Sequence, residues 1–355
     1  MRTLALLLAA ASLPAQVKLP PHTKSTLANG LTLILTPNTE LPLVSLRVVV
    51  RGGIEAEPAG KAGLATLTAE LLRRGTSQRS SEQIAQQLDA IGATLGANAD
   101  AQSIAINAEF LSQDTDRALD ILTGVLLRPA FPEAEVTKLL AQTLDSAKAM
   151  KDNAQTAASF FHRAFFYGAQ HPYARAPRGD ETTIPNIKRA DILAFHQRFF
   201  AGKNLIVVAA GNFAPDSFRA KLEKMLAPLP AGSAFPAPAD PGVPRATATR
   251  LLLVDKPDAT QTYFYIGQPG IRRGHPDEVA IRLVNTLFGG RFTSMLNDEL
   301  RVNSGLTYGA NSIVDLNRLT GALTIATFTK TESTAQAIDL ALATLKKLKR
   351  TGHHR

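Results

Sequence analysis

The residues that commonly hold metals or move protons are sparse in this chain. Its seven histidines stand at positions 22, 162, 171, 196, 275, 353 and 354. A hydrolytic zinc site usually needs two histidines one helical turn apart with a carboxylate close by, and no pair here has that i,i+4 spacing followed by suitable partners. His162 and His196 each fall beside aromatic residues in helical stretches, where packing is the expected role. His353-His354 reads as a solvated tail pair. There is no cysteine, so disulfide, thiolate and lipidated-cysteine chemistry are all excluded. Serine and threonine are plentiful, yet no G-x-S-x-G elbow with a matching acid and histidine stands out. A self-sufficient hydrolase built on other residues is therefore left without a recognisable nucleophile.

The bulk properties are those of a globular protein. The chain has 355 residues, 45% of them hydrophobic and 19% charged, a length that suggests two domains. The formal net charge of +9 comes from scattered Lys and Arg, with one short cluster, Lys346-Lys347-Leu348-Lys349-Arg350. No basic stripe interleaves with stacking aromatics and there is no Trp, which argues against nucleic acid as a partner. Arg2, the apolar run 4–11 and Leu13-Pro14-Ala15 read as a cleavable export signal over residues 1–16. The run is shorter than the ~20 residues needed to span a bilayer. The expectation is a periplasmic or secreted protein that does not sit in a membrane.

The elements that must position any site can be read along the chain. Asn29-Gly30 between the apolar runs 27–28 and 31–35 predicts a hairpin. Residues 44–50 read as a strand ending at Gly52-Gly53. Leu64, Leu67, Leu71 and Leu72 give a helix over 61–74, and Ser80-Ser81-Glu82-Gln83 opens another. Paired strands are expected at 93–99 and 103–110, helices at 114–127, 132–165 and 189–200, and a buried strand at 205–210. Five prolines between 230 and 244 mark residues 230–249 as an extended, semi-stiff linker. Beyond it the same order returns: strands at 251–254 and 262–267, helices at 276–288 and 292–302, strands at 306–314 and 319–327, and a helix at 333–348. The fold class read from this is α+β: two tandem homologous α/β units, each a mixed or antiparallel sheet flanked by helices. The first spans 22–229; the second, 250–355, is expected to be incomplete.

Several stretches, taken in order, resemble pitrilysin/insulinase-type zinc metallopeptidases of the mitochondrial-processing-peptidase-like kind. They are Leu27-Ala28-Asn29-Gly30-Leu31, Gly52-Gly53, Gly63-Leu64-Ala65, Gly75-Thr76, His171-Pro172-Tyr173, the 204–208 strand with Gly211, and Leu253-Val254-Asp255-Lys256-Pro257 with Gln261. The resemblance covers about 22–350. In such enzymes Gly-Leu-Ala leads into H-x-x-E-H, whose histidines bind zinc and whose Glu activates water. In this chain Thr66 stands at the first His position, Ala69 at the base and Glu70 at the second His. Ser146, next to Asp145, is the best match for the distal Glu. A threonine hydroxyl is a poor zinc ligand and Ala69 accepts no proton, so the resemblance implies a chain that binds no metal itself.

A second stretch keeps its pattern. Phe288-Gly289-Gly290-Arg291-Phe292, then Arg301 and Val302-Asn303-Ser304-Gly305-Leu306-Thr307-Tyr308, resembles the second-domain signature of the family. Arg301 is expected near a helix end and Tyr308 on the strand after Gly305. The resemblance implies that this guanidinium and phenol grip a peptide carbonyl, or the oxyanion formed when water attacks. The bland alternatives are that Arg301 pairs with Asp298 or Glu299 and that Tyr308 packs. The resemblance thus implies a non-catalytic, substrate-binding subunit of an exported heterodimeric peptidase acting on unstructured peptides. A zinc-bearing homologous subunit supplies the metal, and the chain is inactive alone. The competing reading is a non-enzymatic scaffold or peptide binder of the same fold.

Overall fold

The computed structural model describes residues 19–244 and 248–351; the expected export signal at 1–16 lies outside them. Strands β1 (Thr23–Thr26), β2 (Thr32–Pro37) and β3 (Leu43–Arg51) open the first unit. β1 and β2 form the hairpin foreseen around Asn29-Gly30, in register from Thr23↔Leu35 to Thr26↔Thr32. On β3 the apolar side chains of Val44, Leu46, Val48 and Val50 are buried while Ser45 and Arg47 face out, the period-two pattern of a sheet covered on one face.

Helix α1 (Leu64–Leu71) is shorter than the expected 61–74. Its start is fixed by Gly63, at φ 98, where an added Cβ would lie 2.7 Å from the carbonyl oxygen of Arg178; only glycine permits both that conformation and that approach. Helix α2 (Ser81–Asp89) begins with the Ser80–Gln83 capping box. Strands β4 (Thr94–Ala99) and β5 (Ser103–Leu111) and helix α3 (Thr115–Leu127) come next. The single helix expected over 132–165 is two, α4 (Glu133–Ala149) and α5 (Ala154–Tyr167). The break falls at Asn153, whose side chain accepts from the Thr156 N–H at 3.0 Å and caps α5. Helix α6 (Arg189–Phe199), strand β6 (Leu205–Gly211) and helix α7 (Pro215–Leu226) complete a six-stranded mixed sheet of order β1-β2-β6-β3-β5-β4. β6 runs parallel to β2 and antiparallel to β3.

Past the first unit, the described residues from 230 to 249 contain no helix or strand. They do not hang free. The N–H groups of Gly202 and Lys203 donate to the carbonyls of Pro230 and Ala231. The fully buried Asn204 donates to the carbonyls of Arg51 and Phe199 and accepts from the Phe235 N–H at 2.8 Å. Val243 packs against Phe166, Tyr167, Tyr173 and Leu319.

The second unit holds β7 (Gln261–Gly270), α8 (Glu278–Phe288), a short helix α9 (Met295–Asn297) that runs into a π-helical turn Asp298–Asn303, then β8 (Ala310–Asp315), β9 (Gly321–Lys330) and α10 (Thr334–Thr351). Its sheet has the order β7-β9-β8, both pairings antiparallel. That is the first unit's β3-β5-β4 over again, with helices between its first two strands and one after its third. The duplication read from the sequence is thus present in strand order. Residues 251–254, expected as a strand, belong to no strand among the described residues, and Leu251 and Leu253 are 84% and 83% exposed. The apolar run is there, but a strand exists only by pairing.

The units meet at a polar clasp. Arg318, in the β8–β9 turn, pairs with the buried carboxylate of Glu55. Tyr173 Oη donates to the same carboxylate at 2.7 Å and accepts from the Leu319 N–H at 3.3 Å. Nearby, His162 of α5 stacks on Tyr265 of β7 with ring centres 5.1 Å apart.

Candidate functional site

Thr66, Ala69 and Glu70, which the resemblance sets at three of the four metal positions, lie on α1, which is packed against α4, α6, β4 and β5. Thr66 and Glu70 are one turn apart and face the loop after Tyr173. The Thr66 hydroxyl donates to the Pro177 carbonyl at 2.6 Å, and the Arg178 guanidinium pairs with the Glu70 carboxylate. Ala69 is fully buried. The two polar groups that could have turned toward a cation are therefore held by one loop, and the cation beside Glu70 is Arg178. Ser146 is exposed on α4, its hydroxyl bonded back to the Gln142 carbonyl at 2.8 Å; among the described residues no hydrogen bond joins it to Thr66 or Glu70. Nor do the described residues contain a group of three or more His, Cys, Asp or Glu able to hold a metal. This donor set does not fit zinc.

A carboxylate that sequence reasoning missed lies at the start of the same helix. Glu57 is buried, and its Oε1 accepts from the N–H groups of Gly63 at 3.1 Å and Ala65 at 2.9 Å, capping α1. Burial pushes its carboxyl up to about 8, against the opposing pull of these N–H groups and Arg175. Among the described residues its second oxygen has no hydrogen-bond partner. The acidic pair Glu55 and Glu57 directly after the Gly52-Gly53 strand end was the available signal, because two carboxylates in an otherwise apolar stretch need partners. Arg178 carried no local signal.

Arg301 sits in the π-helical turn, near the helix end as expected. It makes no ion pair with Asp298 or Glu299; its guanidinium lies over the Phe292 ring, 4.3 Å from the centre, and Glu299 pairs with Lys347 at 2.8 Å. Tyr308 is not on a strand: it precedes β8 by two residues and is 81% exposed. Its placement is set by Thr307, which is buried and hydrogen-bonded to the Gly309 carbonyl and to Thr327, leaving Tyr308 to point outward. Neither the Arg301 guanidinium nor the Tyr308 hydroxyl has a hydrogen-bond partner among the described residues, and no bond joins the two.

His162 and His196 behave as packing groups, whereas His353-His354 lies outside the described residues. His196 is stacked on Phe200 with centres 4.2 Å apart, and its Nε2 lies 3.0 Å from the Leu126 carbonyl. Burial lowers both His196 and His162 to about 4, so both are neutral at pH 7.

Comparison with known families places this arrangement. Residues 33–176 match the insulinase (peptidase family M16) model and residues 186–354 match that of the peptidase M16 inactive domain. The chain belongs to peptidase family M16. An uncharacterised zinc protease of Mycobacterium tuberculosis is 29% identical over 342 residues, covering 96% of this chain and 77% of the relative. A non-peptidase homologue from Helicobacter pylori is 26% identical over 277 residues, 78% of this chain and 63% of that one. The crystal structure of a peptidase M16 inactive domain from Pseudomonas fluorescens superposes with a TM-score of 0.87 at 27% identity, covering 94% of this chain and 80% of that one. Among the described residues, no helix is long and apolar enough to cross a membrane.

Proposed function

We propose that this M16 chain is the substrate-binding, non-catalytic member of an exported two-chain peptidase. A homologous partner carries the zinc and the general base, and Arg301 and Tyr308 hold the carbonyl groups of an unstructured peptide. One contrast carries the reading. The groups at the metal positions are engaged by Pro177 and Arg178, whereas Arg301 and Tyr308 keep their hydrogen-bond donors uncommitted. Two such donors suit a peptide carbonyl or a developing oxyanion.

The test is affinity capture of the tagged chain from its source cells, followed by peptidase assay of the captured complex. The expected result is co-capture of an M16 homologue with intact H-x-x-E-H, and activity that falls at least about tenfold in Arg301→Ala and Tyr308→Phe complexes. Capture with no such homologue, or activity indifferent to both changes, would refute the proposal. The scaffold reading draws support from the Helicobacter pylori relative described as a non-peptidase homologue; it requires that both substitutions be silent.

A further inference from the structure

A cavity of about 900 Å³ lies between α3 and α7 in the first unit, with α6 and residues 228–230 supplying the rest of its wall. None of its lining residues belongs to α1 or to the Arg301–Tyr308 stretch. Helix α3 gives it Asp116, Leu119, Asp120, Thr123, Leu126 and Leu127, which recur at the spacing of one helix face. At 1.5 Å per residue that face runs for about 17 Å, so the cavity is a groove along most of the helix. Its floor is apolar: Leu119, Leu126, Phe200 and Leu229 are buried, and Leu127 and Met225 are partly buried against the same core. The Thr123 hydroxyl is spent on the Leu119 carbonyl at 2.6 Å, and His196 Nε2 donates to the Leu126 carbonyl at 3.0 Å.

The charges at the rim do not balance. Asp116 pairs with Lys221 across the groove, and Asp120 pairs with Arg79, so both acids are compensated. Lys224 on α7 and Arg128 at the end of α3 also line the groove; both are exposed, and among the described residues neither makes an ion pair. One uncommitted cation therefore stands on each wall above an apolar floor. An apolar concavity rimmed by a few polar groups is the usual form of a small-ligand site, and the excess of positive charge selects an anion. Dimensions decide its shape. An α-helix of this length, 10–12 Å across, occupies roughly 1,300–1,900 Å³ and would leave much of itself outside, whereas a slim extended chain sinks in.

We propose that this groove binds the carboxylate of a single aliphatic chain, a free fatty acid. The hydrocarbon lies along α3 on the Leu119–Phe200–Leu229 floor. The carboxylate stays at the rim, where the long side chains of Arg128 and Lys224 cover the hydrocarbon with their stems and bring their charged heads to the anion. Met225 adapts to the chain. This site does not depend on the roles of Arg301 and Tyr308.

The probe is laurate, titrated calorimetrically into the full chain below its micelle concentration. Saturable one-to-one binding on the order of micromolar to tens of micromolar is expected. Dodecyltrimethylammonium, with the same chain and the opposite charge, and butyrate, with the same head and little chain, should each bind at least about tenfold more weakly. With methyl-labelled methionine, the Met225 signal should move on adding laurate while those of Met150 and Met295 stay. Arg128→Glu/Lys224→Glu should weaken binding at least about tenfold and leave the Tm unaltered, both side chains being exposed. Thr123→Phe, which places a ring in the groove, should abolish binding. No saturable binding of laurate, equal binding of the cationic analogue, a stationary Met225 signal, or equal binding by both variants overturns the proposal. So does flotation of the chain with phosphatidylglycerol vesicles that laurate does not compete, which would make a membrane surface the occupant.

Discussion

Arg178 reaches back across 108 residues of sequence to pair with Glu70 on α1. In doing so it sets a guanidinium beside the residue that the resemblance to zinc peptidases would set at a ligand position. Purified chain is accordingly expected to contain well under about 0.1 zinc per molecule by elemental analysis, before and after incubation with zinc, since one carboxylate does not make a site. Stoichiometric zinc would contradict this.

The pair itself is a minor contributor to stability. Arg178 and Glu70 side chains are 64% and 26% exposed, so Arg178→Ala should cost no more than about 1 kcal/mol in urea unfolding.

The clasp between the units is a different case. Glu55 has no exposed side-chain surface, and Arg318 is 36% exposed. Removing one partner of a fully buried pair costs about 3–5 kcal/mol; the partial exposure of Arg318 reduces this to roughly 1–3 kcal/mol for Arg318→Ala. Calorimetry should show unfolding that is broader or more split in Arg318→Ala than in the unaltered chain, as the second unit loosens first, and Arg318→Lys should restore part of the loss.

Glu57 makes stability depend on pH. Its folded carboxyl is raised from 4.5 to about 8, so the folded state holds this proton more tightly than the unfolded chain. The associated stability is complete below about 4.5 and is lost as pH rises toward 8. His162 and His196 act in the opposite sense, being lowered from 6.5 to about 4. Their contribution is complete above 6.5 and is lost as pH falls toward 4. Glu57→Gln should flatten the decline of Tm between about pH 5 and 8 while leaving the acid-side decline in place. A parallel shift of the whole curve would show that Glu57 does not titrate in this window.

Tyr308→Phe and Arg301→Ala should leave folding nearly untouched, within about 0.5 kcal/mol and 1 kcal/mol respectively. Tyr308 is exposed, and Arg301 gives up only its contact with Phe292. Loss of peptidase support in these variants could then be read as loss of peptide binding.

Local chemistry explains which features were legible in the sequence. The alternation along β3 and the Ser80–Gln83 box act over a few residues, and each gave its element. The repeat of strand and helix order gave the duplication. The features that escaped act across long separations. Arg178 meets Glu70, and Arg318 meets Glu55 over 263 residues, with no spacing rule to announce either. Residues 251–254 looked like a strand because they are apolar, yet pairing depends on a neighbour that composition does not reveal. Tyr308 was displaced from its expected strand by the bonds of Thr307, again a tertiary effect.

Asn204 joins the end of β3, the end of α6 and Phe235 through its one amide, and Val243 is seated a few residues further on. The connection between the units is therefore pinned near both ends of its described first stretch, and little of that stretch is slack. A short tether holds its cargo at a local concentration on the order of millimolar. If the Arg318–Glu55 clasp opens, the second unit meets Glu55 again far more often than a free domain would. The clasp thus works as a latch that reseats itself, and breaking it changes how often the units part rather than whether they stay together.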